Sequence, residues 1–295
     1  MKLQAGTALL AGVLLAASPA MGQDMADAQI QAEHVSGGIH MLIGPGGNIG
    51  VSVGPDGVLI VDDEFAPLAD KVKAALAELG GPGVGFVLNT HWHPDHIGGN
   101  AAFGREAPII AHVNVRRILM SGASVLGQDV PPAAPEALPV VTFADSLSLH
   151  FNGEEIRVVH YPRGHTDGDA VIFFLGSNVV HMGDNYFAGM FPFVDLGNGG
   201  SVQGVADIVA ALLDRISPDA RIIPGHGPVS DKDGLREFHE MLTASLALVG
   251  EAIERGETVE QVQAAGVPER WQVWGSGFIN TDHWLATVYD SLSQD

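Results

Sequence analysis

Hydrophobic residues in this chain fall mainly into short runs closed by glycine, proline or acidic residues, a pattern that predicts strands; helical spacing is confined to fewer segments. The stretches GGIHMLIG (37–44) and NIGVSVGPDGVLIVDD (48–63) read as strands, the second folded into a hairpin at Pro55-Asp56-Gly57. A helical pattern runs from Ala66 to Leu79 and stops at Gly80-Gly81. VGFVLNTH (84–91) then predicts a strand that delivers the chain directly into His91, and APIIAHV (107–113) predicts a strand leading into a short helix. PPAAPEALP (131–139) is a proline-rich surface connection.

Farther along, LSLHFNGEEIRVVHYP (147–162) predicts a hairpin turning at Asn152-Gly153, and AVIFFLGSNVVHMGD (170–184) predicts another. Ser201 is placed to cap an amphipathic helix running to about Ser217, ARIIPGHG (220–227) is a last strand, and 231–265 is mostly helical. Strands alternate with helices, yet several strands are hairpin partners, so the fold class is α/β with mixed sheets. No repeat, low-complexity tract or interdomain linker interrupts the sequence, which predicts a single domain over 23–295.

The first residues change the picture of where the protein works. Lys2, an apolar run from Ala8 to Ala17, and small residues at Ala20 and Gly22 follow the order of a secretory signal peptide over residues 1–22. The run is well short of the roughly 20 apolar residues that span a bilayer, so the expectation is cleavage, no stable membrane anchor, and a periplasmic or secreted protein. The formal charge is −21, and losing Lys2 makes it more negative. Such a surface repels phosphate backbones and anionic lipid, which argues for a small-molecule substrate and against nucleic acid. Cysteine is absent, so no thiolate is available as metal ligand or nucleophile.

Candidate chemistry concentrates at NTHWHPDH (89–96), where His91, His93, Asp95 and His96 fall within six consecutive positions of a chain holding 13 histidines. A helix face would space them three or four apart, and a core strand would not bury so many imidazoles without partners. Other strand ends or loops contribute His165, Asp184 and His226, each beside a glycine that permits a tight turn. Five histidines and two aspartates exceed what one tetrahedral ion can use, whereas two neighbouring ions would use them all. His91 and His93 can reach one ion from the same side of an extended chain, while Asp95 and His96, beyond the bend at Pro94, address another.

HWHPDH, GHTDGD, HMGDNYF and PGHG, in this order, resemble the motifs of the metallo-β-lactamase superfamily, over essentially the whole mature chain. The resemblance implies a four-layer αβ/βα sandwich with two mixed sheets. It also implies that His91, His93 and His165 hold a first metal, that Asp95, His96 and His226 hold a second, and that Asp184 bridges them. Two zinc ions suit the donors best, with iron or manganese as alternatives. They would generate hydroxide from a shared water, and Asp95 would orient its attack as the catalytic carboxylate. The leading expectation is opening of a small cyclic amide or ester, β-lactams first, with lactonase, arylesterase or glyoxalase II-like thioesterase activity as the alternative. A glutathione thioester is weakened by the few C-terminal cations, Lys232, Arg236, Arg255 and Arg270. An iron-dependent persulfide dioxygenase, which uses one ion and fewer ligands, and a non-catalytic metal module are the readings from other classes.

Around these ligands, Tyr186, Phe187, Met190, Phe191 and Phe193 are candidate walls of an apolar pocket, with ordinary core packing as the competing explanation. Asn185 or Tyr186 is a candidate oxyanion donor, and Trp92 either lines the mouth or braces the ligand loop. Arg163 binds a substrate carboxylate or neutralises local acid. His181, on a strand, is expected to face away from Asp184. Asp62, Asp63 and Glu64 can orient metal-bound histidines, but a solvated turn explains them equally, so they stay outside the expected site. The C-terminal WQVWGSGFINTDHWLATVYDSL reads as either core or a subunit contact.

Overall fold

The computed structural model describes residues 25–81 and 83–294; the expected leader, residues 1–22, lies outside them. A meander of β1 (Gln31–Ser36), β2 (Ile39–Ile43), β3 (Ile49–Gly54) and β4 (Gly57–Val61) opens the fold, each strand antiparallel to the one before. A 3-10 turn (Ala66–Leu68) and α1 (Ala69–Glu78) return the chain to β5 (Val84–Leu88), parallel to β4. Two single-turn helices, α2 (Pro94–Ile97) and α3 (Asn100–Phe103), precede β6 (Ile109–His112) and α4 (Val113–Ser121).

A small hairpin of β7 (Ala123–Val125) and β8 (Gln128–Val130) stands apart from the main sheets. After it, β9 (Val141–Phe143) closes the first sheet, in the order β1-β2-β3-β4-β5-β6-β9. The second sheet begins with the antiparallel β10 (Ser146–Phe151), β11 (Glu154–His160), β12 (Ala170–Phe174) and β13 (Val179–His181). After α5 (Val202–Arg215), β14 (Arg221–Ile223) joins β13 in parallel and β15 (Ser230–Asp231) ends the sheet. Then follow α6 (Lys232–Glu254), α7 (Val259–Ala265), a 3-10 helix (Glu269–Ser276) and α8 (Thr281–Gln294).

Side-chain alternation decides the layering. In β4 every residue is buried: Leu59 and Val61 meet Ile156, Ile172 and Phe174 of the second sheet, while Val58 and Ile60 pack with Val72 and Leu76 of α1. In β12, Ile172 and Phe174 face the first sheet while Val171 and Phe173 join a core built with α5, α6 and α8. Strands buried on both faces read as unbroken apolar runs for this reason. The result is the expected four-layer αβ/βα sandwich with two mixed sheets, and the predicted hairpins at 54–57 and 151–154 form. Among the described residues no helix is long and apolar enough to cross a membrane.

One region was not anticipated from the sequence, and in another the structure decides between two readings. The β7–β8 hairpin turns at Leu126-Gly127, both with positive φ (51° and 73°), and leucine in that conformation conceals the turn from a reader looking for asparagine or glycine pairs. At the C-terminus, Trp271, Trp274 and Trp284 are buried in the second sheet's helical core, so this segment is largely core. Truncating Leu59, fully buried between the sheets, to Ala is expected to cost roughly 2–5 kcal/mol, measured by denaturant unfolding against the parent; a loss below that range would place it outside the load path between the layers.

Candidate metal centre

The candidate ligands lie on loops at one end of the sandwich: after β5, between β11 and β12, after β13 and after β14. Open sheets leave loops free to converge at strand carboxyl ends, which is where such sites form. His91, His93, His165 and Asp184 make one cluster and Asp95, His96 and His226 another, the ligand atoms within each lying within 4.8 Å of one another.

Hydrogen bonds fix which nitrogen each imidazole turns inward. His93 Nε2 donates to Asp195 Oδ2 at 2.9 Å, and His165 Nδ1 donates to the Phe193 carbonyl at 2.8 Å. Thr90 Oγ1 gives its proton to Asp62 Oδ2 (2.7 Å) and therefore accepts from His91 Nδ1 (2.9 Å). The remaining nitrogens then carry lone pairs and face one another: His93 Nδ1 is 3.1 Å from His91 Nε2 and 2.8 Å from His165 Nε2. Lone pairs cannot bond each other, and neutral imidazole nitrogens at this spacing are the donor set of a divalent cation. Burial drives the His165 pKa down to about 4 and the His91 pKa well below its ordinary value, which keeps both rings in the ligating form.

In the second cluster, His96 Nδ1 donates to Asp62 Oδ2 at 2.8 Å, leaving Nε2 directed inward. That atom is 3.0 Å from Asp184 Oδ1, a buried oxygen with no hydrogen-bond partner. His226 Nε2 lies 3.4 Å from Asp95 Oδ2 and 3.6 Å from Asp184 Oδ2. Asp184 Oδ2 is also 3.8 Å from His91 Nε2 and 3.5 Å from His165 Nε2, so this carboxylate stands between the clusters. The carboxylates here also attract protons. Burial opposes a charge on His226, but Asp184 and Asp95 outweigh it and hold its pKa up at about 9; the same carboxylates with Asp62 raise His96 well above its ordinary value. Two glycines permit the close packing: a Cβ on Gly47 would collide with the His96 ring, and one on Gly225 with Asp184 Oδ1.

All seven sequence-predicted ligands thus meet, while the residues around them divide. Phe187 is stacked on His226 (ring centroids 4.9 Å apart) and Phe193 lies 5.7 Å from both His93 and His165, so these two rings border the clusters. Trp92 does not line the mouth: it is fully buried with Ile97, Ala111, Val115 and Leu119 and braces the ligand loop from beneath, because alternate residues of an extended segment point to opposite sides. Tyr186 is no oxyanion donor, since its ring packs on Phe238 and its hydroxyl pairs with Ser230 Oγ at 2.7 Å. Phe191 stacks on Trp284 in the core. Asn185 is buried, its Oδ1 accepting from the His165 N–H at 3.3 Å. His181 turns from the clusters to the Asn48 carbonyl, 3.3 Å away.

Sequence reasoning left out two carboxylates that the geometry brings in. Asp62, for which orienting a metal-bound histidine and a solvated turn are equal readings of the sequence, is fully buried at φ 67° and binds Thr90 N, Thr90 Oγ1 and His96 Nδ1. Its neighbour Asp63 is buried against Gly99 N, and Glu64 against Gly46 N and Phe65 N. Asp195 fixes the tautomer of His93 and is itself held by Asn198 Nδ2 at 2.8 Å. An acidic residue directly after an apolar strand was the available signal for Asp62; Asp195 had none.

Two sheets with paired ligand clusters on the loops at one end define a metal-dependent hydrolase fold. The chain belongs to the metallo-beta-lactamase superfamily, whose family model matches residues 40–226. It is 31% identical over 180 residues to a hydroxyacylglutathione hydrolase of Gloeobacter violaceus, a match spanning 58% of this chain and 61% of that protein. Several of the curated relatives are matched over about half of their own length. Among solved structures, a metallo-beta-lactamase from Pontibacter korlensis aligns with TM-score 0.60 and 19% identity over 73% of this chain and 99% of its own. A stereoselective inverting sec-alkylsulfatase from a Pseudomonas species aligns with TM-score 0.65 and 13% identity, covering 88% of this chain and 50% of the other. At these identities both structures support the fold alone.

Because His226 is held protonated up to about pH 9 without a cation, metal uptake has to displace a proton. Apparent affinity is therefore expected to rise with pH through neutrality, with proton release visible as a buffer-dependent heat in titration calorimetry. Asp62→Asn, which leaves one oxygen to serve Thr90 and His96, is expected to weaken metal binding about 10–100-fold; unchanged affinity would show that the two histidines need no such anchor.

Proposed function

We infer that the chain is a two-metal hydrolase of small acyl compounds, with zinc the preferred ion and iron or manganese acceptable in its place. The position of Asp184 between two imidazole clusters carries this reading, because one carboxylate serving both sides is needed only where two cations sit close together. Bound there, two divalent cations would supply a hydroxide nucleophile at neutral pH and polarise the scissile carbonyl. Asp95 is one-quarter exposed, unlike buried Asp184, and presents an oxygen that can accept a hydrogen bond from the nucleophile and aim it. Asp195 and Asp62 hold His93, His91 and His96 in the tautomers that leave their inward nitrogens free.

Phe187 and Phe193 give the site apolar edges, and the loop from Gly183 to Val202 contains no lysine or arginine. Arg270, the nearest cation in sequence to the C-terminal tryptophans, lies over Trp271 and pairs with Glu240. An uncharged lactone or aryl ester fits these walls better than the carboxylates of a glutathione thioester. β-Lactams, first in the sequence reading, share the same acyl-transfer chemistry. A persulfide dioxygenase needs one ion and fewer donors than these two clusters offer. The signal-peptide-like order of residues 1–22 supports action in the periplasm or outside the cell.

The test is a panel on zinc-loaded protein: an acyl lactone, an aryl ester, a chromogenic cephalosporin, a carbapenem, S-lactoylglutathione and an alkyl sulfate. Turnover of the neutral esters is expected to be highest, to vanish on chelation and to fall at least about 100-fold in His226→Ala. Fewer than two ions bound per chain at saturating metal, or oxygen uptake with a persulfide and bound iron, would defeat the two-metal hydrolytic reading. N-terminal sequencing of the protein recovered after expression in a secreting bacterium is expected to begin near Gln23; an intact Met1 terminus would refute export by cleavage.

A further inference from the structure

The second cluster draws Asp95 and His96 from the loop after β5 in the first sheet and His226 from the loop after β14 in the second. Something must hold those loops in register. The turn between β2 and β3 touches both. Gly46 N donates to Glu64 Oε1 at 2.8 Å and Gly47 N to the Asp95 carbonyl at 3.1 Å, and Gly47 lies against the His96 ring. The next residue, Asn48, is 3% exposed and reaches across the seam through both its backbone and its side chain. Its N–H donates to the Gly225 carbonyl (2.8 Å), and its Nδ2 donates to the carbonyls of Pro224 (3.0 Å) and Gly227 (2.8 Å). Its own carbonyl accepts from His181 Nε2 at 3.3 Å.

The two side-chain bonds fall on either side of His226, so a single planar amide brackets this ligand and fixes both the height and the tilt of its loop. On its own sheet, that loop is tied by Gly225 N to Gly183 and Tyr186 and by the His226 carbonyl to Ala188 N. Asn48 supplies the matching ties from the opposite sheet. We propose that Asn48 is a positioning residue that sets the reach between His226 and the Asp95–His96 pair, and thereby selectively fixes the affinity of the second cation site. The first site does not depend on it: His91 and His93 are set by Thr90 and Asp195, and His165 by the Phe193 carbonyl.

This inference rests on the two-metal reading, and the experiment separates the two. The fold provides its own control: at the far end of the sandwich Asn152 makes a comparable cross-sheet clamp, its Nδ2 donating to Ser52 Oγ (3.0 Å) and the Gly57 carbonyl (3.1 Å). Asn152 sits at φ 51°, so Asn152→Gly deletes the amide without backbone strain. Metal-depleted full-length protein, Asn48→Ala, Asn48→Ser and Asn152→Gly are titrated with Zn²⁺ against a chromophoric chelator, with metal content after dialysis and thermal midpoints recorded in parallel. Wild type is expected to take two ions. Asn48→Ala is expected to keep the first at parental affinity and bind the second about 10–100-fold more weakly, with Asn48→Ser in between; if the alanine variant does not fold, the serine variant decides. Asn152→Gly is expected to melt earlier yet hold two ions as wild type does. Parental second-site affinity in the Asn48 variants, or an equal loss in Asn152→Gly, would overturn the assignment. Wild type binding a single ion would instead remove the two-metal reading and this inference with it.

Discussion

Electron pairs with nowhere to go organise this molecule. Once Asp195, Thr90, Asp62 and the Phe193 carbonyl have taken the outward N–H groups of four buried imidazoles, the inward nitrogens face one another and two carboxylates across distances of about three to four ångströms. Such an assembly is unfavourable unless positive charge enters it. Protons drawn to His96 and His226 answer that demand, and a divalent cation would answer it better. The hydrogen-bonded frame around the histidines is therefore the part that makes the cluster a receptor for metal, and the surrounding fold exists to keep that frame dry and rigid.

The frame can be rigid because each outer contact is anchored in a sheet. Asp62 follows a strand buried on both faces, Thr90 follows the neighbouring parallel strand, and Asp184 follows β13, paired with β14. Trp92 fills the space beneath the ligand loop, so His91 and His93 stand on a packed surface with little freedom to swing. The backbone at Asp62 and Glu64 adopts the left-handed conformation without being glycine, the strain that densely constrained sites retain when neighbouring contacts over-determine them.

The seven inward residues were legible in the sequence because the spacing of His91, His93, Asp95 and His96 fits neither helix nor strand packing, because His165, Asp184 and His226 each abut a glycine, and because the four ordered motifs resemble those of the superfamily. The strand order could not be read directly, but the apolar runs of β4 and β12 announced burial on both faces. What escaped was information that depends on tertiary neighbours. A carboxylate after a strand looks the same whether it meets water or Thr90, so Asp62 was set aside. Asp195 lies in a loop whose composition says nothing of His93. Tyr186 follows the ligand Asp184 by only two residues, yet a 3-10 turn at Gly183–Asn185 carries its ring into the core against Phe238. Sequence proximity to a ligand therefore proved a poor guide to orientation, as Trp92 also shows.

The ligands are divided between the two sheets in a way that bears on how the protein is made. The first sheet's half supplies His91, His93, Asp95 and His96, and the second supplies His165, Asp184 and His226. Neither half owns a complete coordination sphere, and the first cannot retain a cation through residues that have not yet docked. A cation shared by both halves would thus be retained only after the two layers have closed on each other, so metal content would record completed assembly as much as a property of the active centre.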